Sequence, residues 1–287
     1  MQIGRFYHTV VKDELPQGFY LETEQGERVL LPGSKAPVGL KVGDFLDAFI
    51  YLDSEDRPIA TTETPLVEAN HFAVLEVKDV NSIGAFLDWG LDKDLLLPYK
   101  QQLGGELRKG DKCVIYALVD QKSGRLVATE KLRRFFETDI SELRVGQKVS
   151  LAIYEMEDSF AECLINLRSY GRLYLHKNEE RLYIGDQIDG YIEDIRPDGK
   201  ITLSRFPVGY NTVRSHDAGL LRELKEAGGF LPYGDKTPPE EIQEHFGLSK
   251  KAFKKLIGGL FREGKIVIQD NGIALPSNKN YREKKHF

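Results

Sequence analysis

The 287-residue sequence predicts a multidomain β plus α protein, in which small antiparallel β-barrels in tandem precede a helical module closed by a hairpin. Two observations carry that prediction. A Gly-Asp string followed by an alternating strand recurs three times in the first two hundred residues. After Pro207 the apolar period changes from 2 to 3.6.

The recurring string is Leu40-Lys41-Val42-Gly43-Asp44, then Leu107-Arg108-Lys109-Gly110-Asp111, then Leu182-Tyr183-Ile184-Gly185-Asp186. A fourth, related string, Leu143-Arg144-Val145-Gly146-Gln147, lies between the second and third. Behind the three Gly-Asp pairs come alternating strands over 45–52, 112–119 and 187–195, each followed by a turn and a short closing strand over 58–61, 126–129 and 201–204. Matching early strands begin at Gly18, Gly84 and Ser159. Alternation between Gly- and Asp-rich turns is the pattern of half-buried antiparallel strands. About five short strands per unit fit an OB-type barrel, with an SH3-like barrel or a sandwich as alternatives.

The last quarter reads as helix, helix, short turn, helix, hairpin. Ala218, Leu220, Leu221, Leu224 and Ala227 line one helical face, and Gly228-Gly229 ends it. Thr237 is the expected N-cap of a second helix with Ile242 and Phe246 inside and Gly247 at its end. Ser249 caps a third helix with Phe253, Leu256, Ile257 and Leu260 on its apolar stripe and Gly264 as its stop. Residues 266–275 form a hairpin with an expected Asn271-Gly272 turn. That order is a winged helix-turn-helix, whose third helix would enter a groove. The expected domains are barrels over 1–63, 70–136 and 145–207, a winged helix over 211–275, and a basic, flexible tail over 276–287.

Composition narrows the function. Charged residues make up 30% and no apolar run approaches the ~20 residues of a membrane span, so a cytoplasmic chain without a secretory leader is expected. Two cysteines, both inside predicted strands, exclude a disulfide framework or a Cys-rich zinc site. The six histidines lack metal-ligand spacing, and the Gly-Gly pairs lack the lysine of a phosphate loop, so neither an enzyme, a metal nor a cofactor is expected. Charge is uneven. Residues 211–287 hold 14 Lys and Arg against 10 Asp and Glu, a net of +4, while the other 210 hold 26 against 35, a net of −9. The asymmetry sets a basic C-terminal module on an otherwise acidic protein.

The strings Gly84-Ala85-Phe86-Leu87-Asp88 and Leu95-Leu96-Leu97-Pro98, the Gly-Asp turn, and Ile201-Thr202-Leu203-Ser204 resemble the RNA-binding OB domain named after ribosomal protein S-one. The third unit adds Leu173-Tyr174-Leu175-His176, and the first matches mainly through its turn and closing strand. Three S-one-like barrels followed by a winged helix resemble the bacterial conserved virulence factor B (YitL-type) family over residues 1–275. The resemblance implies an RNA-binding regulator of gene expression without catalytic activity.

OB barrels hold single strands by stacking bases on exposed aromatics while cations follow the backbone. Carried over from the resemblance, the strand-two aromatic falls on Phe86, with Phe160 in the third unit and Phe19 and Tyr20 in the first, and the strand-three histidine on His176, beside Arg172 and Tyr174. The second unit has Pro98 at the histidine position, with Tyr99 and Lys100 as substitutes. Strand alternation puts Phe86 with Asp88 on the wet face and Trp89 with Leu87 on the other. Arg125 and Arg205 are further phosphate contacts, and Lys250, Lys251, Lys254 and Lys255 form a basic strip on the third helix. Single-stranded RNA is the expected partner, with DNA a second one through the winged helix. The competing class is a scaffold that docks proteins of the transcription or translation machinery, since winged helices also bind proteins.

Overall fold

A computed structural model describes residues 1–175, 181–207, 210–246 and 248–276. His176, Gly247 and the tail from Ser277 onward lie outside the described residues. The chain forms two compact units, one ending at Arg205 and one beginning at Phe206.

In the first unit the chain lays down the same five strands three times. The first set is β1 (Arg5–Leu15), β2 (Gly18–Thr23), β3 (Arg28–Pro32), β4 (Phe45–Leu52) and β5 (Pro58–Thr61). The second is β6 (Phe72–Asn81), β7 (Gly84–Asp88), β8 (Leu95–Pro98), β9 (Lys112–Val119) and β10 (Leu126–Thr129). The third is β11 (Lys148–Met156), β12 (Phe160–Ile165), β13 (Ser169–Tyr174), β14 (Gln187–Ile195) and β15 (Ile201–Ser204). Each set closes into a barrel in which the third strand pairs in parallel with the fifth and the fourth returns to the first. All other pairings are antiparallel, the topology expected of an OB barrel.

The Gly-Asp repeat has a structural cause. Asp44 accepts the Lys41 N–H at 2.8 Å, Asp111 that of Arg108 at 2.7 Å, and Asp186 that of Tyr183 at 2.8 Å. The glycine between takes φ of 96°, 91° and 86°, a conformation that strains any residue with a Cβ. Its N–H then bonds the carbonyl of Val11, Val77 or Ile153, at the place where the first strand of each barrel bulges. The turn therefore clamps the fourth strand to the first strand's bulge and shuts the barrel. Leu143–Gln147 makes the same turn, with Gln147 replacing the aspartate, and clamps onto Ile192 of β14.

The first and third barrels each enclose an apolar core, the second barrel's core takes in residues of the first, and a further cluster bridges the second and third. Phe49 and Tyr51 on β4 join Trp89, Val67 and the second barrel's interior in one cluster. Phe72 and Val114 join Leu132, Tyr154 and Leu164 across the second and third barrels. The strands involved betray this in their patterns. Residues 48–51 of β4 and 151–154 of β11 are buried without alternation, as expected of strands covered on both faces.

Half-buried beside the second seam, Glu130 accepts the Leu103 N–H at 3.0 Å. Burial raises its pKa, outweighing that bond and one to Cys113. Burial also pushes the Cys113 thiol up. A carboxyl whose folded pKa lies above its unfolded value contributes stability below the unfolded carboxylate range, which is lost as pH rises through the folded pKa. Glu130→Gln should therefore remove part of the decline in Tm between about pH 5 and about pH 7.5, measurable by thermal melts at both. An unchanged pH slope would show that Glu130 titrates as it does unfolded.

The second unit contains α1 (Tyr210–Glu226), β16 (Phe230–Leu231), α2 (Pro239–Phe246), α3 (Lys250–Arg262), β17 (Val267–Gln269) and β18 (Gly272–Ala274). Leu220, Leu224, Ile242, Phe253, Leu256 and Leu260 form its core. The Ser249 hydroxyl accepts the Ala252 N–H at 3.2 Å and caps α3 as expected. Two local expectations need correction. The Thr237 hydroxyl accepts the Gly234 N–H at 2.8 Å, closing the preceding turn instead of capping α2. The hairpin turn is Asp270-Asn271, because Gly272 already pairs with Gln269. Gly272 is needed where β16 passes, since a Cβ there would lie 2.1 Å from the Leu231 carbonyl oxygen. β16 adds a third strand that the sequence pattern did not reveal, being only two residues long.

Candidate nucleic-acid interface

The outer face of the second and third strands is where OB barrels hold single strands. Register at the bulge fixes which residues share that face. Asp13 pairs with Tyr20, Asp79 with Phe86 and Glu155 with Glu162, so Tyr20, Phe86 and Glu162 are equivalent. Of the residues expected to match Phe86, Tyr20 is its equivalent in the first barrel, while Phe19 lies one position earlier and Phe160 of the third barrel two positions earlier. Likewise Pro98 pairs with Gly84 as Tyr174 pairs with Phe160, so Pro98 corresponds to Tyr174, not His176.

In the first barrel this face is electrically closed. Glu22 receives both Lys12 and Arg28 at 3.1 Å, and Arg28 also reaches Asp13 at 3.1 Å. The Lys12 ammonium, with Arg28, holds the Glu22 carboxyl below its ordinary range. Phe19 packs on the first barrel's core, which takes it off the binding face. The second barrel repeats the arrangement at its own bulge, where Lys78 sits 3.1 Å from Asp94 and 3.4 Å from Asp88. Phe86 and Asp88 do share the outer face, with Ala85 and Leu87 inside. Phe86 is half-buried in a cleft of about 410 Å³ that it shares with Ile3, Leu52 and Arg125. Arg125 is ion-paired with Asp56 of the first barrel's closing turn, so it latches two barrels together.

The third barrel presents a different face. Arg172 lays its guanidinium 3.9 Å above the Phe160 ring centroid and bonds the buried Glu162 at 2.6 Å. Tyr170 and Tyr174, 40% and 48% exposed, flank Arg172 on the same side of β13. Phe160, Arg172 and Tyr174, named separately from sequence, are therefore brought together on one wet surface. Aromatic rings and a guanidinium plane side by side are what stacked bases require. Tyr170 was missed by sequence reasoning. Its signal was present, since Tyr170, Arg172 and Tyr174 alternate along the strand.

Other expected contacts lie apart from this surface. Tyr99 and Lys100 occupy the exposed turn after β8, where the Tyr99 hydroxyl donates to the Asn81 carbonyl at 2.7 Å. Arg205 lines a cleft of about 600 Å³ with Lys112, Arg181, Glu76, Asp88 and Asp186. In the second unit Lys251, Lys254 and Lys255 are exposed on α3 and Lys250 is half-buried. Lys254 pairs with Asp235 at 3.2 Å. Among the described residues no cluster of His, Cys, Asp and Glu is placed to hold a metal, and no helix is long and apolar enough to cross a membrane.

Family models match two parts of the chain: an S1 domain over residues 3–63 and a CvfB-like winged helix domain over residues 218–275. YitL of Bacillus subtilis, an uncharacterized protein, is 30% identical over 89% of this chain and 87% of its own. Conserved virulence factor B of Staphylococcus saprophyticus is 24% identical over 90% of this chain and 89% of its own. The chain belongs to the conserved virulence factor B family. Its S1 match falls on the first barrel, the one whose strings depart most from the S-one pattern in sequence. The family also embraces a conserved virulence factor B of Staphylococcus aureus, 25% identical over 90% of this chain and 88% of its own. A solved multidomain protein with nucleic acid binding domains from Streptococcus pneumoniae is similar at 24% identity, over 95% of this chain and 98% of that one, with a TM-score of 0.46. S1 and winged-helix domains are nucleic-acid-binding module types, and neither matched family is an enzyme family.

Proposed function

We propose that this member of the conserved virulence factor B family binds single-stranded RNA in the cytoplasm and regulates gene expression through it, without catalysing a reaction. The observation that carries the reading is the third barrel's outer face, where Phe160, Tyr170, Arg172 and Tyr174 form a partly exposed stacking surface. His176 stays a candidate contact from the S-one resemblance and lies outside the described residues. Lys250, Lys251, Lys254 and Lys255 are the second contact, to RNA or DNA. Arg172, like Lys12, Arg28 and Lys78, is paired with an acid, and what sets the third barrel apart is the Phe160 ring beneath its guanidinium and the two exposed tyrosines beside it.

Most affinity for nucleic acid comes from phosphate neutralisation, and log Kd shifts with log salt by about 0.7 per phosphate contacted on a single strand. Fluorescence anisotropy of the full chain with labelled single-stranded RNA, single-stranded DNA and duplex DNA over a salt series tests the reading. Tightest binding to single-stranded RNA, weakening with salt over a slope of about two to four phosphates, is expected. Absence of RNA binding at low salt would overturn it and leave the protein-docking class.

A further inference from the structure

We propose that residues 131–136, which connect the second and third barrels, form a phosphate-binding ramp that carries a single strand from the third barrel's face onto the second barrel. The proposal rests on the reading of that face given above. Residues 131–134 hold Lys131, Arg133 and Arg134 with no acid between them, on a unit whose acids otherwise outnumber its cations. All three are exposed, because Leu132 alone turns inward, 1% exposed in the core that joins the barrels.

Aromatic contacts fix the C-terminal end of the ramp to both barrels. Phe135 stacks on Tyr116 of the second barrel with ring centroids 3.8 Å apart and planes 10° from parallel. Phe136 stacks on Tyr170 of the third, at 5.0 Å and 24°. Tyr170 thus ends the β13 stacking surface and begins the linker, so the two surfaces are continuous. Arg134 lies over the Phe135 ring at 4.6 Å, and Arg133 reaches Glu155 at 3.1 Å. Lys131 donates to the Lys100 carbonyl, drawing Lys100 and its neighbour Tyr99 to the far end of the path. A strand following that route meets rings first and cations next, the arrangement that holds a flexible polyanion without reading its sequence.

The test uses the full-length chain with RNA oligomers of about 6 and about 14 nucleotides, lengths that fit one barrel face and overrun it. Arg133→Gln with Arg134→Gln should leave the short oligomer's Kd within about twofold and make the long oligomer's salt slope shallower by about 1.4, two phosphates' worth. Glu155→Gln, which removes the acid paired with Arg133 and leaves every proposed cation and ring in place, should tighten the long oligomer more than the short one. An unchanged long-oligomer slope in the double variant, or no effect of Glu155→Gln, would overturn the ramp while leaving third-barrel binding intact. No binding of either oligomer by the parent would overturn both.

Discussion

Trp89→Ala is expected to lower the unfolding free energy of the barrel unit by about 3–5 kcal/mol, the usual cost of truncating a large buried aromatic. The side chain is only 4% exposed. It stands edge-on to Phe49 at 5.8 Å and to Tyr51 at 6.5 Å, both from the neighbouring barrel. Its indole N–H donates to the Lys93 carbonyl, so truncation would also strand a carbonyl in a partly buried site. Urea denaturation followed by circular dichroism measures the loss, because Trp89 is the sole tryptophan and its fluorescence disappears with it. Phe45→Ala is the comparison. That ring is 69% exposed, and its removal should cost no more than about 0.5 kcal/mol. Similar costs for the two variants would mean that the first seam is not a core.

On the binding side, Tyr170→Ala with Tyr174→Ala should weaken single-stranded RNA binding at least about 30-fold. Each base–aromatic stack is worth about 1–3 kcal/mol, and a tenfold change in Kd is about 1.4 kcal/mol. Tyr170 also touches Phe136, so Tyr174→Ala alone separates binding from seam packing. The single variant should lose about fivefold with an unchanged melting temperature, and Tyr174→Phe should retain parental affinity. A double variant that binds within twofold of the parent would remove the third barrel's face from the interface.

Much of the barrel architecture was legible because glycine and aspartate leave a mark that chemistry forces. Each clamp turn needs a residue at positive φ and a side-chain oxygen three positions after the N–H it accepts, a carboxylate in the strings at Gly43, Gly110 and Gly185 and an amide at Gly146. The strands behind those turns run from Phe45, Lys112 and Gln187 as their alternation requires. Residue equivalence between barrels was less legible. Each first strand carries a bulge, and matching Phe160 to Phe86 by ring alone slips the register by two positions. Pairings between distant segments left no local trace, which is why Arg125 read as a phosphate contact and not as the partner of Asp56. The seams did leave one: Ala48-Phe49-Ile50-Tyr51 and Leu151-Ala152-Ile153-Tyr154 are apolar on both faces, too much for a barrel wall that meets water.

Tandem domains commonly behave as beads, each gained, lost or shuffled at small cost because little passes between neighbours. The two bridging clusters change that for these barrels. The middle barrel has unlike apolar faces at its two ends, Trp89 toward the first and Phe72 toward the third. Deleting it would bring together Phe49 and Tyr154, surfaces shaped for different partners, and a second copy of it would leave one face without a complement. Barrel order is therefore inscribed in the side chains at the junctions.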